Sequence, residues 1–130
     1  MRAVDTNVLV RLFVQDDPAQ NVAAQRIIAS GPIFIPKTVI IEFEWVLRSV
    51  YAQSQAAIAV AIDDLVASAD VEIEDATAVV RAVAWFKRGM DLADALHLAS
   101  SGHVDGFMTF DAAFRRRAAR IGATLPVTLP

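Results

Sequence analysis

An α/β sandwich around a mainly parallel central sheet flanked by helices is the fold class that this sequence predicts. Three observations carry it. Short apolar strand-like segments, "RAVD", "IFI", "VEIE", "GFMTF" and "LPVTL", are separated by helical stretches. Helices lie between successive strands, with a helix-only stretch in the middle, so the strand-to-strand connections are crossovers of the kind that join parallel strands. The chain has 130 residues, of which 55% are hydrophobic and 21% charged. A chain of that length suits one domain, 1–130, and buries roughly two-thirds of its unfolded surface.

The elements follow in order. "RAVD" reads as a short buried strand, and Thr6 or Asn7 caps the helix carrying Val8, Leu9, Leu12 and Phe13. Asp17-Pro18 opens a second helix, with proline at the first position where its missing N–H does no harm. That helix ends near Gly31, and "IFI" (33–35) is a strand. Thr38 caps a third helix, "VIIEFEWVLRSVYA", in which Val39, Phe43, Val46 and Val50 share one face. Ser54 caps a fourth helix that runs to Ser68, and "VEIE" (71–74) alternates like a half-buried strand. Asp75 caps a fifth helix, which Gly89 stops. "DLADALHLASSG" is a sixth helix, stopped at Gly102, "GFMTF" a buried strand, "AAFRRRAARIG" a last helix and "LPVTL" a terminal strand.

Composition removes several classes of function. The chain has no cysteine, so disulfides and thiolate metal sites are excluded. No apolar run is long enough to span a bilayer, and the N-terminus lacks the pattern of a signal peptide. A cytoplasmic location is the expectation. A formal net charge of −3 argues against a general electrostatic binder of nucleic acid and leaves room for a local basic patch.

Most acidic residues have an ordinary role. Asp17 and Asp75 cap helices, Asp63 and Asp64 lie on a polar helix side, and Glu72 and Glu74 point to solvent. Glu44 stands four residues before Arg48, the favourable order for a helix-surface ion pair. Four acids lack such an explanation. Asp5 ends an apolar strand, at the carboxyl edge where parallel α/β sheets bind ligands. Asp111 follows "GFMTF" and emerges on the same edge, with capping of the last helix as the competing reading. Glu42 sits at the border of an apolar helix face, with a solvated border position as an equal competing reading. Asp94 lies in "LADALHLA" among apolar neighbours, where an acid must be paired, protonated or bound to a cation. Asp91 reads as a cap, and His97 as a packed residue outside the metal site.

Carboxylates gathered at one edge repel each other. Two charges about 4 Å apart cost on the order of 4 kcal/mol at an effective dielectric near 20. Raised pKa values or a divalent cation relieve this. An all-oxygen ligand set selects a hard ion, Mg²⁺ or Mn²⁺. Such an ion polarises a phosphoryl oxygen and activates water, which suits phosphodiester hydrolysis.

The segments "AVDTNVLVRLF", Glu42 in a middle helix, "DLADALHLA" and "GFMTFDAAF" together resemble the PIN-domain family, and within it the VapC-type toxins of bacterial toxin–antitoxin pairs. The likeness runs over essentially the whole chain. It implies a PIN-like sandwich and a Mg²⁺- or Mn²⁺-dependent ribonuclease whose acidic pocket is formed by Asp5, Glu42, Asp94 and Asp111. Thr6, Asn7 and Thr109 match polar positions that flank those acids. The resemblance further implies a homodimer and a cognate, VapB-like antitoxin that blocks the pocket.

On this reading Asp5 and Asp94 hold the principal metal, Asp111 completes its shell or holds a second ion, and Glu42 orients or deprotonates the attacking water. "FRRRAAR" (114–120) is the one basic cluster, so Arg115, Arg116, Arg117 and Arg120 are candidates for the RNA backbone, against the reading of a solvated helix face. Lys87 and Arg88 suit a helix C-terminus. Ile41 and Trp45 turn away from the core face of their helix and offer a partner contact, against burial under a neighbour. Two rival classes stand beside the nuclease. One is a non-catalytic metal-binding module that docks RNA or antitoxin. The other is an aspartyl-phosphate phosphatase, which needs a second acid where this chain has Asn7.

Overall fold

A computed structural model describes residues 1–130. Seven helices alternate with five short strands: β1 (Arg2–Ala3), α1 (Thr6–Phe13), α2 (Pro18–Ala29), β2 (Ile33–Ile35), α3 (Lys37–Ser49), α4 (Gln55–Ala67), β3 (Val71–Ile73), α5 (Ala76–Lys87), α6 (Leu92–Ala99), β4 (Phe107–Met108), α7 (Ala112–Arg120) and β5 (Val127–Thr128). Every strand pair is parallel, as the crossover order requires. The chain groups into two compact units, Met1–Ala76 and Thr77–Pro130. No helix is long and apolar enough to cross a membrane.

In the first unit the strands run in the order β1-β2-β3, with Arg2 opposite Ile33 and Ile35 opposite Ile73. Ile33 and Ile35 are buried, as expected of "IFI". β1 differs from the buried strand expected: it is the edge of its set, Arg2 and Ala3 are exposed, and only Val4 of "RAVD" meets the core. α1 packs against α2 and α3, and α4 against α3 and β3. The ring of Phe43, fully buried, lies 5.4 Å from that of Phe13 and fastens α3 to α1.

That ring contact sets the rotation of α3. Its buried positions are Ile40, Phe43, Glu44 and Leu47, one step round from the valine face that the sequence suggests, and Val50 is exposed. Glu44 is therefore buried, not on the helix surface. Both its oxygens accept from Arg48 Nε, at 3.2 and 2.9 Å, which compensates the enclosed charge. Trp45 is 53% exposed and not buried under a neighbour.

Capping explains where the helices start. Asp17 accepts from the Gln20 N–H and Ser54 from the Ala57 N–H, as the sequence indicates. α3 begins earlier than a Thr38 cap allows. Pro36 precedes it without a side-chain bond, and Glu74 Oε1 accepts from the Lys37 N–H at 2.9 Å. The open N-terminus of α3 is thus satisfied by an acid that follows β3. Asp75, the expected cap of α5, has φ 50° instead of extended backbone, and its carboxylate accepts from Lys37 Nζ at 3.2 Å.

In the second unit β4 and β5 pair, and α7 packs against β5. Phe107 stacks on Phe114 at 5.0 Å, so one face of β4 is covered by α7. The next residue alternates outward, and Met108 is 70% exposed, in contrast to the fully buried strand expected. Gly89 ends α5 at φ 99°, where a side chain would be strained. Arg88 donates to the carbonyls of Arg120 and Ile121, so it serves the C-terminus of α7. Replacing Phe43 by Ala removes the ring that joins α1 and α3 and should cost about 3–5 kcal/mol of stability in a urea titration.

Candidate acidic site

The four candidate acids divide between the units. Asp5 and Glu42 belong to the first, Asp94 and Asp111 to the second. In the first unit Asp5 follows β1 in extended backbone (φ −93°, ψ 179°) and is itself the N-cap of α1, where the sequence suggests Thr6 or Asn7. Its Oδ1 accepts from the Val8 N–H at 3.3 Å, and Oδ2 is left open. The cap falls on Asp5 because helical backbone begins at Thr6, whose side chain turns inside. The Thr6 hydroxyl is buried and lacks a hydrogen-bond partner. Asn7 is exposed. A cavity of about 380 Å³ opens beside Asp5, lined by Arg2, Ala3, Val4, Val8 and Ile27. Glu42 is exposed on α3, which packs against α1, and its carboxylate is free of hydrogen bonds.

The second unit gathers acids more closely. Asp91 caps α6 by accepting from the Asp94 N–H at 3.1 Å, as expected. Asp111 caps α7: its Oδ1 accepts from the N–H groups of Ala113 and Phe114 at 2.9 and 3.1 Å. The capping reading of Asp111 is thus correct and uses only one of its oxygens. Thr109 Oγ1 accepts from the Asp111 N–H at 3.0 Å, so Thr109 touches the acid through the backbone. Asp94 is half-buried in the first turn of α6. Burial is the main cause that raises its pKa above the ordinary carboxylate value, and the charges of Asp91 and Asp111 raise it further. His97 and Arg117 act in the opposite sense without reversing the shift. Asp91 thus does more than cap, and His97, exposed and not packed, faces the same carboxylate electrostatically.

The arginines do not form one face. Arg115 is half-buried and donates from Nη1 to the Thr109 carbonyl at 2.8 Å. Arg117 offsets the charge around Asp94, and Arg120 Nη2 lies 3.3 Å from where a side chain on Gly89 would begin. Arg116 is exposed and makes no hydrogen bond. Consecutive positions on a helix point about 100° apart, which is why a run of three arginines serves three purposes.

Three acidic or histidine side chains do not close on one point within either unit. The donor chemistry nevertheless fits a hard divalent ion. The acids offer oxygens, the repulsion on the Asp94 carboxylate is only partly offset by His97 and Arg117, and the Thr6 hydroxyl beside Asp5 lacks a partner. A carboxyl group with a raised pKa weakens the fold as pH rises through its folded value, and below its unfolded value, about 3.9, the penalty is absent. In EDTA, Asp94→Asn should therefore raise the melting temperature at pH 7, and the gain should vanish as the pH falls toward that value. Added Mn²⁺ should stabilise the wild type more than the variant. Melting curves at several pH values, with and without Mn²⁺, check both.

No curated protein matches the chain. The family model of the PIN domain matches residues 2–120, which takes in both units and every acid described above. The seven helices and parallel strands agree with that fold. The chain belongs to the PIN-domain family, whose members are generally nucleases and typically work with divalent metal ions.

Proposed function

We propose that the chain is a Mg²⁺- or Mn²⁺-dependent endoribonuclease that acts as the toxin of a toxin–antitoxin pair. The observation that carries the nuclease reading is the crowding of Asp94 by Asp91 and Asp111 at the start of two helices, in a chain of a nuclease family. Asp94 through its carboxylate, and Asp111 through the oxygen its cap leaves open, would hold the ion. Asp5 and Glu42 join the same reaction on their place in the motifs of the resemblance. When bound, the ion supplies Lewis acidity at a phosphoryl oxygen and water of lowered pKa.

The remaining steps fall to the chain. Glu42, exposed and unengaged, takes a proton from the attacking water or orients it. The open oxygen of Asp5 lies next to a cavity with room for a phosphate group. Arg116 and Arg120, both exposed, supply the positive charge that binds an RNA backbone despite a net charge of −3. The toxin role, the VapB-like antitoxin, the homodimer and a cytoplasmic site of action rest on the resemblance.

Purified protein incubated with mixed RNA should cleave it with Mg²⁺ or Mn²⁺ and not with EDTA. Asp5→Asn and Asp94→Asn should each abolish cleavage while the circular dichroism spectrum stays that of the wild type. Cleavage in EDTA, or full activity in a folded Asp94→Asn protein, refutes the assignment. Turnover of p-nitrophenyl phosphate in place of RNA would favour the phosphatase class.

A further inference from the structure

Arg115 is the arginine of the basic cluster that the structure removes from the free surface. Its Nη1 donates to the Thr109 carbonyl at 2.8 Å, six residues back across the start of α7. Thr109 is engaged at each polar group. Its N–H donates to the Thr128 carbonyl at 3.0 Å and ties it to the end of β5. Its hydroxyl accepts from the Asp111 N–H at 3.0 Å. Its carbonyl accepts from Arg115. The carboxylate of Asp111 is in turn held by the N–H groups of Ala113 and Phe114.

The turn Thr109–Phe110–Asp111 is thereby clamped from the strand, from the helix and from within. The contact from Arg115 is charge-assisted and half-buried, so it is among the stronger of these bonds. Without it the Thr109 carbonyl faces no donor, and the peptide plane that leads to Phe110 is free to rotate. Phe110 itself gives no hold, since its side chain is 80% exposed.

We infer that Arg115 is a positioning residue: through the Thr109 carbonyl it fixes the turn that carries the Asp111 carboxylate, and it does not bind the RNA backbone. The inference rests on the nuclease reading above for what Asp111 does, and on hydrogen bonds alone for what Arg115 does. Misplacement of a reacting group by about 1 Å costs on the order of 100-fold in rate. Loss of a phosphate contact acts instead on binding and on its salt dependence, with a slope change of about 0.7 per contact for single strands.

The test compares wild type, Arg115→Ala, Arg115→Lys and Arg116→Ala. Three readouts are taken: kcat and KM for RNA cleavage, the salt slope of RNA binding in EDTA, and Mn²⁺ affinity by calorimetry. Hydrogen exchange of the Asp111 amide is followed alongside. Arg115→Ala should lower kcat about 10- to 100-fold, weaken Mn²⁺ binding and speed exchange of the Asp111 amide. KM and the salt slope should stay at the wild-type values. Arg115→Lys, which keeps a cationic donor of similar reach, should recover most of kcat and of Mn²⁺ affinity. Arg116→Ala should raise KM and flatten the salt slope.

A raised KM and a flatter slope in Arg115→Ala, with kcat retained, would overturn the inference. So would unchanged Mn²⁺ affinity and unchanged Asp111 exchange. If the wild type cleaves no RNA, the nuclease reading fails by itself, and the Mn²⁺ and exchange measurements still decide the role of Arg115. Should Arg115→Ala not fold, the Lys variant decides: wild-type exchange and Mn²⁺ affinity support the inference, and a changed salt slope with both intact overturns it.

Discussion

Aspartates bonded to the first N–H groups of a helix fix where negative charge lies in this protein. Asp5 holds the start of α1, Asp91 that of α6 and Asp111 that of α7. Each bond satisfies backbone donors that a helix leaves open, and each places a carboxylate where the helix dipole favours it. A carboxylate has two oxygens, and the caps occupy one. Asp5 and Asp111 therefore stabilise a helix while one oxygen of each stays open. Capping, which the sequence sets against chemistry at Asp111, does not compete with the role proposed for either residue.

Asp94 stands apart from this arrangement. It sits in the first turn of α6 without being a cap, and its own N–H is held by Asp91. The helix end favours its charge, while burial and two capping acids oppose it. The opposing effects win, and the pKa rises. Burial is the larger cause, and the caps of α6 and α7 add to it. His97 and Arg117 offset part of it, whereas Arg115 holds the turn before α7 and Arg88 closes the other end of that helix. The basic run is divided: Arg115 is bonded within the fold, while Arg116, Arg117 and Arg120 are exposed and make no side-chain hydrogen bond.

The strand–helix order and the caps at Asp17, Ser54, Asp91 and Asp111 were legible because each depends on a residue and its neighbours within one or two turns, whereas the sequence leaned toward burial for Trp45, which is exposed. What escaped the sequence depends on distant partners. α3 starts before Thr38 because Glu74, 37 residues further on, accepts its first N–H. The buried face of α3 is turned by one position because Phe13 meets Phe43. The α1 cap moved to Asp5 because Thr6 is drawn into the core, although threonine and aspartate cap almost equally well in isolation. Asp94 could be singled out from its apolar neighbours, whereas the pressure from Asp91 and Asp111 required knowing where two helices begin. Arg115 looked like its neighbours in the run, since no local pattern marks a bond across six residues.

The electrostatics of the second unit also bear on why a cation fits better than a proton. A lone buried carboxyl can be neutral at little cost and needs no neighbours to explain it. Here the charges of two further acids, each bonded to backbone N–H groups at a helix start, add to burial at Asp94. His97 and Arg117 are already present and do not bring Asp94 back to an ordinary pKa. In the nuclease reading proposed above, a divalent ion at the oxygens of Asp94 would relieve the repulsion that His97 and Arg117 leave in place.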